Sequence, residues 1–507
     1  MKAEQHHATM NVVLISTYEL GHQPFGLASP AAWLAEIGAE VTCLDLSRED
    51  FREEPIRRAD LIAFYLPMHT ATRLAIALAP RVRELARSAH ICFYGLYAPV
   101  NEAQLRALGA MTILGGEFEQ GLVNLARSLA ERHGSSNGAD NGAEKQNGKT
   151  ISLARQQFRV PARENLPALA KYAHLILPGG KYRVAGYTEA SRGCKHLCRH
   201  CPIVPVYDGA FRIVQREIVL EDIRRQVAVG AQHISFGDPD FFNGPAHALA
   251  IVEELHREFP RLSYDATIKV EHLLKHADAL PTLRNTDCLF VTSAVESLDD
   301  HVLERLAKGH TRADFVRVVE SFREIGLALQ PTFVPFSPWT TLESYFDLLQ
   351  SLAELDLLEN VAPIQLAIRL LIPAGSRLLD LSEIREGVEA FDPAALVYPW
   401  RQADARVDAL ASEVSKIVEA GENLRLSRAD IFSRIWQAAA RAAGKSMALP
   451  AALGNPRAPR VEIPHMNEPW YCCAEPTTEQ LVSIGQVKAQ IAASSAAHPV
   501  ATPDSFV

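Results

Sequence analysis

Three closely spaced cysteines, in the stretch EASRGCKHLCRHCP from Glu189 to Pro202, constrain this chain more than any other feature. Cys194, Cys198 and Cys201 are spaced C-x3-C-x2-C behind a strand-like run and a glycine, which predicts a hinged loop wrapping one face of a bound group. Thiolates are preferred ligands of iron-sulfur clusters, and a four-iron cluster held by three of them keeps one iron open. An open iron can chelate the amino and carboxylate groups of a substrate. The same residues could instead form a zinc knuckle completed by His196 or His200, or three buried thiols. No second C-x2-C follows at zinc-ribbon distance.

The surrounding pattern is α/β. Asn11 to Ser16, Glu40 to Leu46, Leu61 to Leu66, His90 to Gly95 and Met111 to Leu114 read as short apolar strands separated by helical segments. This is a doubly wound domain over residues 1–132, with its ligand expected at the carboxyl ends of the strands. Gly95, Gly115 and Gly116 at those ends would permit close approach of a ligand. HGSSNGADNGAEKQNGKT lacks apolar anchors, so residues 133–150 read as a flexible linker.

A second alternating series fills residues 151–385. Gln232 to Gly237, Leu262 to Ile268, Cys288 to Val295, Leu327 to Phe336 and Val361 to Ile372 look like strands of a full or partial barrel. Residues 386–507 read as mainly helical, as in Ala403 to Glu419 and Arg428 to Ala443, and end in a tail containing EPWYCCAEP.

With 48% hydrophobic residues the chain can bury large cores, and its net charge of −9 offers no basic surplus for nucleic acid. The apolar run Val12 to Ile15 is too short for a signal or membrane segment, so a cytoplasmic location is expected. Eight cysteines in a chain this long do not read as a secreted disulfide framework.

ASRGCKHLCRHCP resembles the signature of the radical SAM superfamily, and the preceding domain resembles the branch with an N-terminal cobalamin-binding-like domain. FGDPDFF, VESLDDHVLERLAKG and LAIRLLIPAGSRL are weaker echoes of that branch. The resemblance implies a partial (βα)6 barrel with a [4Fe-4S] cluster on Cys194, Cys198 and Cys201. It implies S-adenosylmethionine (SAM) as the cleaved cosubstrate and an electron donor such as flavodoxin or ferredoxin. By the same resemblance Gly237 and Asp238 would bind the amino end of SAM, Glu296 and Ser297 would face it from the fourth strand, and Arg369 would come from a late strand. His200 stands where the family usually has an aromatic residue near adenine. Strand-end charges such as Asp238, Glu296 and Arg369 can equally make structural hydrogen bonds. Cobalamin is left open, because ELGHQPFG carries His22 without the full Asp-x-His-x-x-Gly pattern of lower-ligand binders.

Cys472 and Cys473 present two soft donors in a small bite, which suits a thiophilic centre such as trivalent arsenic, or a vicinal disulfide. The tail resembles a radical SAM family named for its CUAEP/CCAEP motif, and points to the enzymes of arsinothricin biosynthesis. That implies transfer of the 3-amino-3-carboxypropyl group of SAM to arsenite, with Cys472 and Cys473 at the reaction. The alternative is a cobalamin-assisted radical methylase or a 5′-deoxyadenosyl-radical enzyme acting on an organic substrate. A non-catalytic metal-binding or thiol-sensing protein is a third reading.

Overall fold

The structure, a computed structural model, describes residues 9–134, 149–449 and 463–468. Cys472, Cys473 and most of the expected linker lie outside the described residues.

The first sheet is built from β1 (Asn11–Ser16), β2 (Glu40–Asp45), β3 (Leu61–Tyr65), β4 (His90–Tyr94), β5 (Thr112–Gly116) and β6 (Lys149–Ser152). All neighbours are parallel in the order β2-β1-β3-β4-β5-β6, so the chain reverses direction across the sheet between β1 and β3. A reversal of this kind opens a crevice beyond the carboxyl ends of the two strands. Near-continuous burial of β1, β3 and β5 is what a parallel sheet covered on both faces requires.

β6 corrects the expected linker, which was read from composition alone. Its two final positions pair with Gly115 and Gly116. A Cβ on Gly115 would lie 2.2 Å from Pro99, and one on Gly116 2.2 Å from the Ser152 carbonyl. These glycines admit the chain's own backbone and ring, and Gly116 also lines the cavity described below.

The second sheet contains β7 (His174–Leu177), β8 (Lys181–Thr188), β11 (His233–Phe236), β12 (Ser263–Thr267), β13 (Cys288–Glu296), β14 (Ala328–Phe333) and β15 (His465–Met466). A small antiparallel pair, β9 (Ser191–Gly193) with β10 (Phe211–Ile213), brackets the cysteine loop. The order β14-β13-β12-β11-β8-β7-β15 has five parallel strands from β8 to β14 and antiparallel additions at β7 and β15. The expected sixth strand, Val361 to Ile372, is reduced to a bridge between Phe336 and Arg369 beyond the end of β14, preceded by a short 3-10 turn. Pro363 lacks the N–H a ladder needs, and the following residues turn instead of extending.

β15 takes part of the missing place. Besides pairing with β7 it lies near β14, whose Gln330 Nε2 donates to the Pro464 carbonyl. The helices Ala405–Asn423 and Arg428–Ala442 share the barrel's apolar core through Val414, Ile435 and Trp436. No helix among the described residues is long and apolar enough to cross a membrane.

Candidate active site between the two sheets

The carboxyl edges of both sheets face one cavity of about 770 Å³, within the size range of small-molecule sites. Glu19, His22, Met68 and Tyr97 line it from the loops of the first sheet. Cys194, Cys198, Cys201, Gly237, Asp238 and Glu296 line it from the barrel.

The cysteine loop leaves β9 at Gly193, whose φ of 73° and close approach to the Ala210 carbonyl admit no side chain. Asn243 clamps the turn, accepting from the Lys195 N–H at 3.1 Å and donating to the Gly193 carbonyl at 3.3 Å. Across the loop, the Arg199 N–H donates to the Leu306 carbonyl at 2.9 Å. Burial pushes the Cys194 thiol up to about 11, so a thiolate there needs a cation beside it.

The three loop thiols do not converge on a single ion. Among the described residues, the set of candidate ligands lying within 4.8 Å of one another is Cys194, His196 and Asp240, and the three thiols do not form such a set. His200, the other candidate zinc ligand, donates its Nε2–H to Glu296 instead, 3.1 Å away. Three thiols spread around a cavity wall suit a larger multi-iron group.

Asp238 sits at the cavity, but its oxygens are used by the loop, one by the Ala190 N–H at 2.9 Å and the other by the Ser191 hydroxyl at 2.6 Å. Burial outweighs those bonds and lifts its carboxyl to about 7. Gly237 allows the backbone to pass Tyr187, whose hydroxyl would lie 1.9 Å from an added Cβ. Glu296 closes β13 at a register shift with φ 71°. Burial works against its charge, yet Lys308 at 3.3 Å and His200 hold it down at about 2.

Two expected residues are not brought to this cavity. Ser297 accepts from the Asp299 N–H at 3.0 Å and lines a separate small hollow. Arg369 stacks 3.7 Å over Trp400 and donates to Asp408 at 2.7 Å, away from the lining, because the sixth strand that would have aimed it inward is not formed.

Sequence reading missed Lys308 and Arg192, and it named His22 only for the incomplete Asp-x-His-x-x-Gly pattern. Lys308 lies inside the quoted VESLDDHVLERLAKG stretch, where the sequence singles out Glu296 and Ser297 alone. Arg192 is buried among Glu117, Glu119 and Glu189 at 3.5, 2.7 and 2.6 Å and faces the rings of Phe25, Phe118 and Phe158. It ties the cysteine loop to the first sheet. His22 stacks on Tyr187 of β8 at 4.6 Å, and burial lowers its imidazole to about 4. Only their pairing with distant residues, invisible in one sequence, marks them.

Residues 188–349 match the Radical SAM superfamily. They form a radical SAM domain. Over 339 residues the chain is 25% identical to the hopanoid C-3 methylase of Methylococcus capsulatus, covering 62% of each protein. A shorter stretch of 178 residues is 27% identical to the ribosomal protein uS12 methylthiotransferase RimO of Porphyromonas gingivalis, covering 32% of this chain and 40% of that one. The fold resembles the cobalamin-dependent SAM radical enzyme OxsB, with TM-score 0.64 at 15% identity over 82% of this chain and 67% of that one. It also resembles the methyltransferase TsrM of Kitasatospora setae bound to tryptophan and a SAM analogue, with TM-score 0.55 at 18% identity over 77% and 80% of the two chains. The α/β fold, with a doubly wound sheet ahead of a partial radical SAM barrel, is thereby shown.

Proposed function

We propose that this chain is a radical SAM enzyme that modifies a small molecule seated between its two sheets, with cobalamin-assisted methyl transfer as the leading reaction. The observation that supports this most is the shared cavity, which puts the three thiols and the crevice beside β1 and β3 on opposite walls of one space. The methylase relative and the two structural neighbours point the same way.

Cys194, Cys198 and Cys201 would hold a [4Fe-4S] cluster, which supplies the electron that breaks a carbon-sulfur bond of SAM. Gly237 gives SAM backbone access, while Asp238 and Glu296 offer acceptors on the adjoining wall. The first sheet presents neutral hydrogen-bonding groups to the cavity, including Tyr97 and the uncharged His22, which suit the amide periphery of a corrinoid. His22 is stacked on Tyr187, so its ring is already engaged by the barrel. Carboxylates outnumber cations around the cavity, which disfavours a polyphosphate or nucleic-acid substrate and admits a neutral one.

A second reading, 3-amino-3-carboxypropyl transfer to arsenite, is supported by Glu468. This residue lines the cavity, accepts from the Tyr18 hydroxyl at 2.5 Å and pairs with Arg48 at 3.4 Å. Cys472 and Cys473, four and five positions further on in the sequence, lie outside the described residues.

Anaerobic turnover of reconstituted protein with SAM and reductant, with and without cobalamin and arsenite, separates the two. 5′-Deoxyadenosine dependent on the three loop cysteines supports the leading reaction, with a methylated product formed only when cobalamin is present. Methylthioadenosine together with a new carbon-arsenic product would replace it by the second. No nucleoside product under any condition, from protein with a full iron and sulfide complement, rejects both.

A further inference from the structure

A buried carboxylate stands beside the first cluster cysteine without any assigned role. Asp240, from FGDPDFF, is about 1% exposed and has an oxygen within 4.8 Å of both the Cys194 sulfur and a His196 nitrogen. Its Oδ1 accepts from the Phe242 N–H at 3.1 Å, which fixes the turn after β11. Its Oδ2 lies 2.7 Å from His272 Nδ1 and 3.4 Å from His196 Nε2. The two imidazoles pack against one another with centroids 4.6 Å apart, and the other nitrogen of His196 faces Glu271 at 3.5 Å. A carboxylate that needed only to cap a turn would not require two histidines, and the turn places it against a thiol instead of solvent.

We propose that Asp240 is a positioning residue that sets the reduction potential of the metal group on Cys194, with His272 and His196 beside its carboxylate. The inference rests on the cluster assignment above. A fixed negative charge next to a cluster ligand opposes the arrival of an electron, and this effect is strong where water is excluded. Partners that orient the groups next to a metal ligand tune the metal in the same manner. Asp240 thus keeps the resting centre oxidised, making reduction depend on a change in the cavity such as arrival of the cationic sulfonium.

The test compares full-length wild type, Asp240→Asn and His272→Gln, each reconstituted anaerobically without SAM and titrated with reductant under EPR. Asparagine preserves the turn, since its side-chain oxygen can still accept from Phe242, but it removes the charge. The expected result is at least a tenfold shift of the Asp240→Asn equilibrium toward the reduced form, ~59 mV more positive for one electron. His272→Gln keeps the carboxylate and should not move in that direction. An unchanged potential in Asp240→Asn, with iron and sulfide equal to wild type, overturns the inference while leaving the cluster intact. A positive shift of equal size in His272→Gln also overturns it, because loosening the loop would then suffice. Wild type that binds no cluster rejects the underlying assignment instead.

Discussion

Arg192 and Glu119 meet guanidinium to carboxylate at 2.7 Å across the boundary between the two sheets. Arg192 stands two residues before Cys194, and Glu119 begins the helix after β5, so one ion pair links the cysteine loop to the front domain. Burial works against the Arg192 charge, but three surrounding carboxylates outweigh it and hold the guanidinium firmly protonated.

Arg192→Met should therefore destabilise the protein by about 3–5 kcal/mol, because it strands buried carboxylates without a counter-charge. Urea denaturation of the apo protein measures this. Arg192→Lys should recover only part of the loss, since an ammonium cannot reproduce the planar fork. Equal stability of all three proteins would show that the pair is not the link.

The Glu296 and Lys308 pair predicts an acid limb. Glu296 titrates at about 2 in the fold, against an unfolded value of ~4.3. Its stabilisation is complete above the unfolded value and disappears as pH falls toward about 2. Lys308→Met should cost about 3–5 kcal/mol near neutrality and much less below that window, where the carboxyl is protonated in both states. Denaturation midpoints across acid pH check the convergence.

His22 behaves in the opposite chemical sense with the same pH direction. Burial depresses it to about 4, so the unfolded chain binds a proton near ~6.5 that the fold refuses. Stability from this residue is full above the unfolded value and falls as pH drops from there to about 4. His22→Phe, which keeps a ring against Tyr187, should flatten the stability profile over that interval.

Gly237→Ala should destabilise by about 1–3 kcal/mol, because the new methyl meets the Tyr187 hydroxyl and the ring is held by His22. Thermal denaturation should show the loss, and a Gly237→Ala, Tyr187→Phe double variant should regain part of it. Full stability of the single variant would mean that Tyr187 moves freely.

Much of the fold was legible because parallel strands announce themselves as short apolar runs. β1 was read to the residue, and β2 to β5 within two positions at either end. The cysteine loop was equally plain, since metal spacing is local. What escaped depends on distant partners. Lys149 and Thr150 are polar enough to pass for linker, and only the edge of β5 makes them part of a strand. Val361 to Ile372 is apolar enough to pass for a strand, yet Pro363 breaks it and burial in the barrel core accounts for its composition. Arg369 was misplaced along with it. Asp238 was placed at the site, but its engagement with Ala190 and Ser191 is a consequence of tertiary approach.

β15 joins Ile176 to His465 across most of the length of the chain. During synthesis the barrel strands and the cysteine loop leave the ribosome long before β15 does. The wall that β15 gives the cavity is therefore made after the cavity's other described walls, and until then that side stands open to solvent.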